Sequence, residues 1–94
     1  MSDQVDVRCE PTGDDWTCFV TVTGHGTETH HAVTLTGADL ARLAPDGEHP
    51  DDLVRRSFAF LLAREPKESI LATFDLPLIG RYFPDYEATI TRRR

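Results

Sequence analysis

His49-Pro50-Asp51-Asp52-Leu53-Val54-Arg55-Arg56-Ser57-Phe58-Ala59-Phe60-Leu61-Leu62-Ala63-Arg64 opens the stretch, running on to Phe83, around which this chain is organised. Pro50 suits the first helical position, where its missing N–H would have no partner in any case. Asp51 and Asp52 put negative charge at the positive end of the helix dipole. His49 then stands at the N-cap, where it is not a preferred residue. Pro66 disfavours helical geometry at Glu65 and cannot donate a backbone bond, so the helix is expected to run to about Arg64. Leu53, Val54, Ser57, Phe58, Phe60, Leu61 and Leu62 form a wide apolar face at helical spacing, with Arg55, Arg56, Ala59, Ala63 and Arg64 mostly opposite. That arc is broader than a single sheet contact requires. One flank is expected on a sheet. The other is expected on either the chain's own C-terminal segment or another subunit.

Beyond the long helix, Pro66-Lys67-Glu68 reads as a second helix start carrying Ile70, Leu71 and Phe74, and Asp75-Leu76-Pro77 as a further break. Leu78, Ile79, Tyr82 and Phe83 recur at helical spacing until Pro84 ends the run. Elements this short are not stable as isolated helices. They must dock on the long helix or on a partner.

Before the helix the period changes from helical to alternating. Val5, Val7 and Cys9 alternate with Asp6, Arg8 and Glu10, the mark of a half-buried strand. Pro11-Thr12-Gly13-Asp14-Asp15 is a turn by composition. Trp16, Cys18, Val20 and Val22 then face one way, and Thr17, Phe19, Thr21 and Thr23 the other. Gly24-His25-Gly26-Thr27 is a hairpin loop. A third strand runs from about Glu28 to Leu35, with His31, Val33 and Leu35 on the apolar face. Thr36 with Asp39 makes a capping pattern for a short helix bearing Leu40 and Leu43, closed by Ala44-Pro45-Asp46-Gly47. The expected fold is α+β: a three-stranded antiparallel meander with helices packed on one face and a short helical C-terminal segment. One domain is expected over 1–94, with the sheet at 4–36, helices at 37–83 and a tail at 84–94. In that tail Tyr86, Ala88 and Ile90 alternate with Glu87, Thr89 and Thr91, which suggests a fourth short strand on an edge or on a neighbouring chain. Arg92-Arg93-Arg94 reads as a frayed end.

Ninety-four residues suffice for one core without staples. No apolar run is long enough to cross a membrane. The acidic start, Met1-Ser2-Asp3-Gln4-Val5-Asp6, lacks a signal-peptide pattern, so cytoplasmic residence is expected. Cys9 and Cys18 are accordingly read as two reduced, small core hydrophobes rather than a disulfide. The net charge of −6 is uneven. Eight acids face two bases up to Gly47, whereas eight acids and eight bases balance from Glu48 onward. An acidic sheet argues against nucleic acid as the direct ligand, because phosphate affinity comes from clustered Lys and Arg. Lys67 is the only lysine among ten basic residues, a usage that suggests a GC-rich bacterial gene.

The search for chemistry gives no catalytic residue, no metal ligand set and no cofactor. His30 and His31 point to opposite sheet faces, so at most one can join His25, and no Cys or acid pattern completes a zinc set. Ser57 and Ser69 lie inside helix patterns without a base and an orienting group. Cys18 and His31 approach each other across adjacent strands, where core pairing is the plainer reading. The glycines of Gly24-His25-Gly26 precede a strand, not a helix, so they form no phosphate loop.

Three features are left over. Phe19 is a large aromatic on a face of Thr, Ala, His and charges; it is either an ordinary exposed residue or a contact for another chain. Ile79, Arg81, Tyr82, Phe83 and Tyr86 form a dense aromatic run with one arginine, typical of core or of interface anchors. With Phe19 they make the candidate interface. Arg55, Arg56 and Arg81 are the candidate contacts if nucleic acid is bound.

Residues 5–62 resemble, in element order and size, the small bacterial β-β-β-α domains of the HicB-like antitoxin group, through the meander Trp16–Leu35 and the helix Leu53–Leu62. The segments 60–71 and 79–84 look like those of small bacterial proteins of similar length. The resemblance implies a non-enzymatic domain that works by association. No helix-turn-helix or ribbon-helix-helix segment follows the domain, so no DNA-binding residue is carried over. The expected function is therefore a cytoplasmic protein-interaction or regulatory domain, a homodimer binding another protein. A nucleic-acid-linked regulator is the alternative, and a small-ligand or metal-binding domain the second alternative.

Overall fold

The alternation read in the first part of the chain is realised as three antiparallel strands, β1 (Gln4–Thr12), β2 (Asp15–Gly24) and β3 (Thr27–Thr36). The structure, a computed structural model, describes residues 3–91. The arginine tail lies outside the described residues. Both hairpins turn in two residues. Gly13 takes φ 64° in the first, and His25 and Gly26 take φ 55° and 79° in the second. Two consecutive positive φ values are what a type I′ turn demands, and its twist matches that of the strands.

The helices follow from their start signals. Thr36 caps α1 (Gly37–Leu43): its Oγ1 accepts from the Asp39 N–H at 3.0 Å, and the Asp39 carboxylate accepts from the Thr36 N–H at 3.3 Å. That is the reciprocal capping box expected from the sequence. α2 (Pro50–Leu62) begins at Pro50 with Asp51 and Asp52 in its first turn. It lies across the inner sheet face against β1 and β2. Its wide apolar arc is used on both flanks by the chain itself. Phe58 meets the His31 and Phe74 rings, with centroids 5.3 and 6.2 Å away. On the other side Phe60 sits edge-on to Phe83 and Tyr86, at 5.9 and 5.3 Å.

Three expectations are corrected. First, the helical reading of 37–83 is interrupted. Pro66-Lys67-Glu68 forms only a 3-10 turn, Lys67–Ser69, and the chain then extends into β4 (Thr73–Asp75). β4 pairs parallel with β3, Val33 opposite Phe74. The sheet is thus four-stranded and mixed, in the order β1-β2-β3-β4, rather than a three-stranded meander. A parallel neighbour needs a long crossover, which α1 and α2 provide. After β4, a 3-10 turn at Leu76–Leu78 leads into α3 (Ile79–Tyr82).

Second, the 84–94 tail contains α4 (Tyr86–Thr91), where a strand was expected. Tyr86 and Ile90 are buried and Ala88 is exposed. A strand would bury all of them on one face, whereas the four-residue spacing of Tyr86 and Ile90 is helical.

Third, Cys9 and Cys18 form a disulfide rather than two free thiols. They stand directly opposite in the β1–β2 ladder, with Cα atoms 3.9 Å apart. No helix among the described residues is long and apolar enough to cross a membrane.

Candidate interaction groove

The crossover that adds β4 also leaves a groove. The C-terminal end of α2, the segment 69–74 and α3 enclose about 340 Å³. Leu61, Ile70, Phe74 and Ile79 are buried in its floor. Its rim carries two large exposed apolar side chains, Leu71 at 49% and Tyr82 at 66% exposure. Glu65 and Ser69 supply the polar groups at the margin.

The rim is held by its backbone. The buried His31 ring donates from Nδ1 to the Leu71 carbonyl at 2.7 Å and accepts at Nε2 from the Thr29 hydroxyl at 2.8 Å. Ala32 donates its N–H to the Ala72 carbonyl at 2.7 Å. With residues 71 and 72 pinned to β3, the Leu71 side chain is turned outward. Phe83 closes the far wall, and its N–H bonds to the Ile79 carbonyl at 2.8 Å. Behind it the Arg64 guanidinium covers the Phe60 ring at 3.6 Å and reaches Asp85 at 3.1 Å.

The candidate interface read from the sequence therefore divides. Ile79, Tyr82 and Phe83 come together in the groove, though Ile79 belongs to its floor and is only 3% exposed. Tyr86 is corrected: it is fully buried in the chain's own core. Its hydroxyl donates to Ser57 Oγ at 2.7 Å, while Ser57 donates to the Leu53 carbonyl at 2.9 Å. Burial pushes the Tyr86 phenol up to about 12. Phe19 is 43% exposed on the opposite sheet face, with the Arg8 guanidinium 5.7 Å from its ring centre. Leu71 was missed because the spacing of Ile70, Leu71 and Phe74 suits a helix, whereas Leu71 lies in an irregular segment just before β4, its carbonyl bound to His31.

The candidate nucleic-acid contacts do not assemble. Arg56 is committed to structure: Nε and one Nη bind the Glu48 carboxylate at 2.8 and 2.6 Å, and the other Nη donates to the Ile90 carbonyl at 2.9 Å. Hydrogen bonding to the Glu48 carboxylate raises the Arg56 pKa above its ordinary value. Arg55 pairs with Asp52 at 3.2 Å. Arg81 lies in a separate cleft of about 310 Å³ beside Asp15, Asp39 and Asp75.

Nor do the sulfur and imidazole groups make a centre. Cys18 is spent in the disulfide and both His31 nitrogens are engaged, so they form no nucleophilic pair. His30 contacts Glu28 at 3.0 Å on the exposed face. Among the described residues no group of three or more His, Cys, Asp or Glu side chains is placed to hold a metal ion. No family model matches the chain, and neither a curated protein nor a solved structure matches it.

Proposed function

We propose that this chain is a small non-catalytic interaction domain that takes an apolar segment of a partner protein into the groove between α2 and α3. The observation that carries the reading is the pair Leu71 and Tyr82, both exposed, on either side of an apolar floor. Large exposed apolar groups gathered around a concavity mark interaction sites, whereas scattered ones do not. The HicB-like resemblance of the meander and α2 points the same way, toward association rather than chemistry. The nucleic-acid alternative has less support, because two of its three arginines are held by acids and the third stands among aspartates. The small-ligand alternative rests on the same groove, whose volume is at the low end for such sites.

The test is co-purification of tagged wild-type and Leu71→Ser/Tyr82→Ser proteins, with and without nuclease. The reading expects a stoichiometric protein that survives nuclease and is lost from the double variant. The same partner on both baits would remove the groove from consideration. Partners lost on nuclease treatment would move the nucleic-acid reading ahead.

The reading extends to a cytoplasmic protein only with Cys9 and Cys18 reduced, since cytosolic thiols are kept reduced. Alkylation during non-reducing lysis, followed by mass spectrometry, decides that point.

A further inference from the structure

We infer that a second copy of this chain docks on the free edge of β1, antiparallel, in a two-fold register centred on Val7. This surface is separate from the groove and does not depend on it.

β1 is a terminal strand of the sheet and, among the described residues, pairs only with β2. Its backbone phase is fixed by three observations. The Cα atoms of Cys9 and Cys18 are 3.9 Å apart, which marks a pair that exchanges no backbone hydrogen bonds. Thr12 and Asp15 close a two-residue hairpin, which gives Thr12 and its even-numbered neighbours the bonds to β2. Pro11, with no N–H, falls in the odd phase, the side on which a strand tolerates proline only when that edge is open. Val5, Val7 and Cys9 therefore turn their N–H and C=O groups outward. Such an edge is a template for another strand.

Three features say that the strand is a second copy. The first is charge. In the register centred on Val7, Val5 lies opposite Cys9 of the second copy, and each of Val5, Val7 and Cys9 exchanges both backbone bonds. On the outer face Asp6 then lies opposite Arg8, twice by symmetry, and Gln4 opposite Glu10. Centring on Asp6 would put that carboxylate against its own copy. Centring on Arg8 would oppose two arginines and set Asp6 against Glu10. Like charges directly opposite destabilise a strand pair. Centring on Cys9 brings Pro11 opposite Val7 and forfeits donors.

The second feature is the space beneath the edge. A cleft of about 510 Å³ at the Val5 end of the edge is lined by Val5, Ala59, Leu62 and Ala63, together with Asp3, His25 and residues 65–68. Ala59 and Ala63 are exposed and small, which leaves room for the α2 of the second copy. The third is apolar area: Val5, Val7 and Leu62 are only partly buried in one chain. A two-fold pairing would cover them from both sides, as an isologous interface does. Within the chain Arg8 makes two surface contacts, the first with the Phe19 ring, whose centre is 5.7 Å from its guanidinium. Its contact with Glu10, at 3.5 Å, is a surface pair with both side chains more than half exposed.

The experiment is sedimentation equilibrium of the full chain from micromolar to millimolar concentration. Wild type should dimerise. Asp6→Arg and Arg8→Asp should each weaken the dimer roughly tenfold, since two opposite-charge pairs become like-charge pairs. The double swap Asp6→Arg/Arg8→Asp should restore it. That rescue also shows that the single variants failed by charge and not by folding. Leu71→Ser/Tyr82→Ser should leave the dimer unchanged, which separates this surface from the groove. A wild type that stays monomeric throughout, or a dimer indifferent to the single reversals, would overturn the inference.

Discussion

Tyr86 and Tyr82 lie four residues apart on consecutive short helices and end in opposite environments. Tyr86 is 0% exposed and Tyr82 66%. Apolar density along the sequence is the same around both. The difference lies in what faces them. Tyr86 meets Ser57, whose Oγ is already oriented by its own bond to the Leu53 carbonyl. α4 gains two more anchors, Arg56 on the Ile90 carbonyl and Arg42 on Glu87. Tyr82 has no side-chain hydrogen bond among the described residues. A buried polar group must be paired, so the placement of one serine on α2 decides which tyrosine becomes core. α3 is left as the wall of a groove rather than part of the interior.

Of the two tyrosines, Tyr86 carries the larger share of stability. Tyr86→Ala should cost about 3–5 kcal/mol in urea unfolding, through a cavity and a stranded Ser57 hydroxyl. A loss below about 1 kcal/mol would mean that α4 is not part of the core. The same residue gives a pH test. Its folded pKa, about 12, lies above the ordinary value of 10, so the stability due to the neutral phenol is present below pH 10 and lost as pH rises through 12. Wild type should therefore lose about 2–3 kcal/mol relative to Tyr86→Phe over that range. A constant difference would refute the burial.

A smaller effect separates stability from binding. Reducing Cys9–Cys18 should cost about 2–3 kcal/mol, because the bridge closes only a short loop in β1–β2. Partner capture should survive reduction under native conditions, since the groove is built on the β3–β4 side of the sheet. Loss of capture without loss of fold would tie the two regions together.

What the sequence disclosed follows the strength of local signals. The Thr36–Asp39 capping box, the Pro50 start and the alternation of the first three strands are each specified by residues a few positions apart, and each is found as expected. β4 was hidden because Thr73-Phe74-Asp75 is too short to show a period, and its pairing with β3 is a long-range event. α4 was misread because Tyr86, Ala88 and Ile90 satisfy a two-residue period, while only the outer two satisfy a helical one. The disulfide needed the register, which places Cys9 against Cys18. One wall of the groove was legible, through Ile79, Tyr82 and Phe83. Leu71 was not, because it lies in the irregular segment before β4, held by a long-range bond from His31 that no local pattern announces.

The smallest effect is expected at Tyr82. Tyr82→Ala should change stability by no more than about 0.5 kcal/mol, the usual range for an exposed side chain with no partner. Thr36→Ala, which removes a cap at the surface, should cost about 1 kcal/mol and serves as the scale. If Tyr82→Ala instead cost as much as Tyr86→Ala, Tyr82 would be packing against something in solution, and α3 would be interior to an assembly rather than a wall awaiting a partner. If its cost is negligible while partner capture is lost, the ring is kept for the partner. A tyrosine that contributes little to its own fold and much to a complex is what separates an anchor from a core residue.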